Sequence, residues 1–236
     1  ARGGIEYVPP ISLSFWRWAI FFLILFLFNL NYLIKNFSTV KKESKRSFFL
    51  GLMGCGVCGI FPYMAGSTTS IVNMGILYTS SPIFIILISY SFYKEKINTM
   101  QLLGLIFCLI GVFAVILKGD INLLIDLKFS SGDFWMLGAA LGWAIYTVML
   151  FQWKSDLSFF PRLTLISFFG FLTILPFYLL EFVYFEKTIF NLEFYFWIIF
   201  AAVSPGIIAF SLYTLTIKYL GPSTTGFTLY LYTIYG

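Results

Sequence analysis

The sequence has 236 residues, of which 60% are hydrophobic and 11% charged, with a mean hydropathy of +0.91 and a formal net charge of +5. A soluble domain carries about 25% charged residues, so this composition cannot cover a globule with a wetted surface and places the chain among integral membrane proteins. Histidine is absent, which excludes His-dependent triads, His-ligated metal sites and imidazole proton relays. No cofactor and no metal site are expected. The excess positive charge sits in loops rather than on a basic face, so nucleic acid is not an expected partner.

Eight apolar segments follow one another: Ile11–Ile34, Phe48–Gly66, Ile71–Tyr93, Met100–Leu117, Phe134–Trp153, Leu163–Tyr184, Phe194–Ile217 and a last one from about Ser223. Most reach the ~20 residues that cross a bilayer as a helix. Phe48–Tyr93 contains no Asp, Glu, Lys or Arg. As one helix it would run roughly 69 Å, far beyond the ~30 Å hydrocarbon core. It must therefore turn back, and Gly66-Ser67-Thr68-Thr69-Ser70 is where it can. Cys55-Gly56-Val57-Cys58 has a redox-like spacing, but it lies among Gly51, Gly54, Gly56 and Gly59. There, small residues let helix backbones approach closely. Packing is the expected role.

Charge sorting gives an orientation. Lys35, Lys41, Lys42, Lys45, Arg46, Lys94, Lys96, Lys154, Arg162 and Lys218 all fall on one side if the segments alternate. Arg2, Lys118, Lys128 and Lys187 fall on the other, with Glu6, Asp120, Asp126, Asp133, Glu186 and Glu193. The positive-inside rule assigns the first side to the cytoplasm.

A single shift of 151 residues lays the first half on the second, placing Pro10 on Pro161, Phe26 on Phe177, Phe49 on Phe200 and Gly75 on Gly226. It pairs the first, second and third segments with the sixth, seventh and eighth. Completing the pattern calls for one helix upstream and one downstream. The expectation is an all-α polytopic membrane protein of two inverted five-helix repeats, whose first and tenth helices lie beyond this chain. Residues 1–117 form the first repeat, 118–133 the connection and 134–236 the second. Inverted repeats recur in secondary transporters, with substrate sites near the midplane.

Several stretches resemble the EamA branch of the drug/metabolite transporter superfamily. They are Pro10 with Trp16-Arg17-Trp18, Ser70-Ile71-Val72-Asn73 running to Ser81-Pro82, Glu95, Gly104 and Gly111. Gly132-Asp133, Gly142-Trp143-Ala144-Ile145-Tyr146 and Leu220-Gly221-Pro222 complete the likeness. The resemblance implies ten helices, cytoplasmic termini and transport, often export, of a small metabolite. The expected partners are that small-molecule substrate and the lipid bilayer, with a homodimer among the open assemblies, and the richness in Phe, Ile, Lys and Asn points to an AT-rich genome and so to a bacterial cell membrane. One position departs from the family: Thr233 stands opposite Pro82, where a second proline is common.

The substrate-cavity candidates are Arg17, Trp16, Asn73, Ser81, Pro82, Trp143, Tyr146, Tyr213, Thr224 and Tyr230. Arg17 is the cation inside an apolar run. It either faces a cavity or partner or snorkels to the outer interface between Trp16 and Trp18. Pro82 removes a helical hydrogen bond, leaving carbonyls near Ser80 and Ser81 for a substrate path or for neighbouring helices. Asn73 and Thr224 open their helices and are expected to cap them, with bonding across helices as the alternative. Trp143 and Tyr146 share one side of their helix beside Gly138 and Gly142. Tyr213, Thr214, Thr216, Tyr230 and Tyr232 form a polar group suited to a cavity wall. Glu181 reads as interfacial, and no paired acid and base suggests an enzyme. The third segment is expected to bend near Pro82 and the eighth to stay straight at Thr233, which helix axes in coordinates would check.

Overall fold

The computed structural model describes residues 8–66, 68–95, 98–116, 130–184 and 188–231. Among them, α1 covers Pro10–Lys35 and α2 Phe37–Gly66; α3 covers Ile71–Tyr78 and α4 Ser81–Tyr93. Next come α5 at Thr99–Ile116, α6 at Ser131–Gln152 and α7 at Phe159–Tyr184. α8 covers Leu192–Leu220 and α9 Pro222–Gly226, which tightens into a 3₁₀ turn at Phe227–Leu231. Six helical stretches are long and apolar enough to cross a membrane, and Thr99–Gly111 is a shorter apolar one. Together with the start of an eighth, they occupy the eight apolar segments. Lys96, Arg2, Lys118, Lys128, Lys187 and the acidic residues Glu6, Asp120, Asp126 and Glu186 lie outside the described residues.

Two boundaries differ from the sequence expectation. The cationic stretch between the first two segments is helix rather than loop, because α2 begins at Phe37, one residue after α1 ends. Lys41, Lys42, Glu43, Lys45 and Arg46 are good helix formers, and Glu43 is buried while its basic neighbours are not. The third segment is two helices, α3 and α4, interrupted at Thr79 and Ser80. Pro82 sits at the second position of α4, where its missing N–H leaves no gap in that helix's own ladder.

The chain forms two compact units. One comprises Ala1–Ile60 with Trp153–Leu215, the other Phe61–Gln152 with Thr216–Gly236. The chain passes from one to the other within α2, between α6 and α7, and within α8.

In the first unit α7 packs along α1 and along the start of α2, while α1 also packs on α8. Close approach depends on small side chains. A Cβ on Gly51 would lie 2.6 Å from the Ile166 carbonyl oxygen, and one on Gly170 would lie 2.5 Å from the Cys55 Cβ. Cys55 is fully buried in this crossing, which is the packing role expected of it. The crossings coincide with wide π-helical turns, Leu52–Val57 in α2 and Ala202–Phe210 in α8. The latter contains Pro205, which has no N–H to give the regular ladder. The shift of 151 residues found in the sequence carries the first π segment inside the second. On the same shift α1 overlies α7, and α2 overlies α8 to within a few residues.

In the second unit α6 packs on α3 and α4, and α9 packs on α4. Gly226 lies against Pro82, with 3.5 Å from its would-be Cβ to the proline Cα. Ile85, Ala144 and Val148 form one buried cluster, and Ile86, Leu105 and Tyr230 another. Phe28, Phe92 and Phe107 are among the most exposed side chains. Such surfaces suit lipid.

Gly170→Leu forces a branched side chain against the Cys55 side chain of α2 and is expected to destabilise the protein by about 2 kcal/mol or more. Gly111→Ala, at an exposed position with nothing within 4 Å, is expected to stabilise it by about 0.5–1 kcal/mol. Thermal denaturation in detergent micelles checks both signs.

Candidate functional site

Three buried acidic side chains organise the polar groups. The carboxylate of Glu181 in α7 accepts from the Ile11 N–H at 2.9 Å, the Ser12 N–H at 2.6 Å and the Ser12 hydroxyl at 2.7 Å. Pro9 and Pro10 bring no N–H of their own, and the Leu13 N–H reaches the Pro9 carbonyl. Glu181 therefore takes the two donors that α1 leaves open at its N-terminus. It is 7% exposed, so it is an inter-helix cap and not the interfacial residue expected from its position in the sequence.

Asp133 does comparable work in the second unit. It accepts from the Ser130 N–H at 2.7 Å, closing the first turn of α6 in the manner of a capping box. It also accepts from the Thr69 hydroxyl and from the Asn73 amide at 3.3 Å. Gly132 allows this approach, because a Cβ there would lie 2.7 Å from the Ala65 carbonyl oxygen. The α2–α3 turn is thus pinned to the start of α6. Glu43 completes the set, accepting from the Ser155 hydroxyl and the Asp156 N–H. Beside it the exposed Lys42–Asp156 pair at 2.9 Å adds little.

The candidates divide between the units. Trp16, Arg17 and Tyr213 belong to the first; Asn73, Ser81, Pro82, Trp143, Tyr146, Thr224 and Tyr230 belong to the second. Ser70, not Asn73, caps α3 by accepting the Asn73 N–H at 3.1 Å, which frees the Asn73 side chain to reach Asp133. Bonding across helices is what Asn73 does. Thr224 does not cap α9 either. The N-cap is Gly221, and Thr224 is exposed one turn inside.

The interruption before α4 satisfies itself. Hydroxyls of Thr79, Ser80 and Ser81 donate to the carbonyls of Ile76, Leu77 and Tyr78 at 2.6–2.7 Å. The Tyr78 carbonyl is the one Pro82 would have bonded, so Ser81 replaces the lost donor. The chain does break beside Pro82; Thr233 and Tyr232 lie outside the described residues. Trp143 and Tyr146 have ring centroids 5.4 Å apart, with Tyr146 fully buried. Tyr230 is buried against Ile86 and Leu105, and Tyr213 is half-buried in α8.

In the first unit Trp16 meets Phe15, Tyr178, Phe190 and Phe194 edge-on. Arg17 holds its guanidinium carbon 4.9 Å from the Trp18 ring centroid. Ser14, one helical turn before it, did not stand out in the sequence because serine is common in apolar helices. A basic side chain three residues away on the same face was the available signal.

Helical and without strands among its described residues, and with this set of membrane-length helices, the chain is a multi-pass protein of the cell membrane. Residues 1–117 match the profile of the EamA-like transporter family. Among curated proteins, the Uncharacterized transporter YyaM of Bacillus subtilis is 27% identical over 157 residues, 63% of this chain and 49% of its own. The Uncharacterized transporter YoaV of the same organism is 32% identical over 147 residues, 61% of this chain and 49% of its own. The matched stretch thus spans about half the length of these relatives. One solved crystal structure superposes with a TM-score of 0.76 over 99% of this chain and 78% of its own, at 16% identity, a likeness of fold. Through residues 1–117, just under half of its length, the chain is similar to the EamA-like transporter family.

Asp133→Ala strands three donors and is expected to cost about 3 kcal/mol or more of stability. Asn73→Ala in the same background is expected to add less than it does alone, because both side chains share one bond. A double-mutant cycle read by thermal denaturation checks this.

Proposed function

We propose that the chain is the greater part of a secondary transporter that moves a small organic metabolite outward by alternating access. Two inverted five-helix repeats, residues 1–117 and 134–236 joined by 118–133, rock about a central site. The observation that carries this reading is the register of the two π segments under the 151-residue shift. Paired helices that share both their ends and an irregular wide turn are what a duplicated transporter half provides. π segments are found frequently at functional sites, and inverted repeats place the substrate between them. The sorting of charges between the spans supports cytoplasmic placement of the Lys- and Arg-rich side.

The aromatic pair Trp143 and Tyr146 suits an amphipathic substrate, and Ser81 with Pro82 marks the place where α3 and α4 can reorient. Glu43, Asp133 and Glu181 are each engaged by backbone donors, which favours facilitation or exchange over a carboxylate proton relay. Similarity to a transporter family points away from enzymatic activity.

The protein in proteoliposomes is expected to exchange at least one labelled metabolite with saturable kinetics, and Pro82→Ala is expected to slow exchange at least about tenfold if α3 and α4 must reorient. A counterflow assay over a panel of organic acids, amides and amines reads both. Absence of saturable movement for every member would overturn the reading.

A further inference from the structure

Arg17 lies seven positions after the first residue of α1, roughly 10 Å along a helix of 1.5 Å rise per residue. Its Nε is buried without a hydrogen-bond partner, and among the described residues no carboxylate lies within ion-pair distance of the guanidinium. The nearby acid Glu181 is already occupied by the N-terminus of α1. An uncompensated cation at this depth is costly in a membrane helix and marks a functional site by default.

The second observation is independent of that charge. The Ser14 hydroxyl and the Trp18 indole N–H are also buried without partners, with their residues 0% and 2% exposed. Ser14, Arg17 and Trp18 share one helix face by their spacing of three and four. Ser14 Oγ and Trp18 Nε1 approach the same point beside Gly59, at 2.7 Å and 3.5 Å from where its Cβ would be. Buried polar groups in folded proteins are normally paired, so each exception calls for a reason. Three on one face have a common one: all can donate, and none meets an acceptor among the described residues.

Resting on the transporter reading, we infer that Arg17, with Ser14 and Trp18, forms the subsite for an anionic oxygen group of the transported solute, a carboxylate on an apolar body. One guanidinium balances one negative charge, which fits a monoanion better than a phosphate dianion. The rings of Phe21 and Phe210, both edge-on to Trp18, supply an apolar wall for the rest of the molecule. Ligand oxygens give the three donors their acceptors at once, and charge-assisted bonds of this kind are the strong ones.

The test uses the protein in nanodiscs of phosphatidylcholine, with sodium benzoate and benzamide as matched probes. Benzoate up to about 50 mM, well above a millimolar Kd, is expected to raise Tm saturably while benzamide leaves it unchanged. Arg17→Gln should abolish the response. Ser14→Ala should keep the ligand-free Tm at or above that of the parent protein, since it removes an unpaired hydroxyl, and weaken benzoate binding about two- to tenfold. It serves as the readout if the Arg17 variant fails to fold.

An equal response to benzamide, no response to benzoate, or full benzoate binding by Ser14→Ala and Arg17→Gln would overturn the inference. So would loss of the benzoate response in phosphatidylglycerol discs, which would make a lipid headgroup the anion. Counterflow separates the two readings. Transport of neutral solutes that is indifferent to Arg17→Gln sinks the anion subsite and keeps the transporter. Benzoate binding through Arg17 without movement of any solute keeps the subsite and sinks the transporter.

Discussion

Where water is scarce, a carboxylate persists only if donors surround it, and the donors most in need of an acceptor are the first N–H groups of a helix. Glu181 and Asp133 meet both needs together. Glu181 takes the Ile11 and Ser12 N–H groups and so fixes the start of α1 to the end of α7. Asp133 takes the Ser130 N–H together with Thr69 and Asn73, and so fixes the α2–α3 turn to α6. Glu43 holds the Ser155–Asp156 turn in the same way. Charge, cap and tertiary contact are one interaction at each place. A change to any of these acids would strand backbone donors as well as remove a charge.

With helix ends anchored in this way, the helix bodies approach through small residues. Gly51 and Cys55 meet Gly170, and Gly206 meets Phe21, at the two π segments. A wide turn widens the groove beside it and leaves a local ladder that is weaker than a regular helix. The first unit therefore combines tight crossings with two places where its long helices depart from ideal geometry. The second unit has a comparable departure at Thr79–Ser81, where three hydroxyls bond back to carbonyls of the preceding turn. A bond from a side chain to its own helix is easily exchanged for another partner, which suits a segment that changes shape during transport.

Against this background Arg17 stands apart. Glu43, Asp133 and Glu181 are satisfied and, among the described residues, the Arg17 Nε is not, although Glu181 lies on a helix packed against its own. Among the described residues the fold finds acceptors for the N-terminus of α1 and none for the Arg17 Nε, and on this the proposed anion subsite rests. The Trp18 ring softens the isolation without ending it, since a cation–π contact is worth about 0.5–2 kcal/mol.

Much of the architecture was legible in the chain itself. Segment lengths and the scarcity of charge dictate membrane helices, because a bilayer admits no other use for runs like Phe48–Gly66. The turn after Gly66 follows from length alone, and the 151-residue shift lays the range of α1 on that of α7 and the range of α2 on that of α8. Other features depended on neighbours distant in sequence. Asn73 and Thr224 looked alike as helix starts, yet Asn73 bonds across to Asp133 and Thr224 faces outward, because only α6 brings a carboxylate within reach. Glu181 looked interfacial until α1 placed its open N-terminus beside it. Composition and periodicity decide which segments leave water, since that depends on each segment's own transfer energy. Which polar groups find partners, and that Arg17, Ser14 and Trp18 do not, is a matter of distances between helices that tertiary structure alone sets.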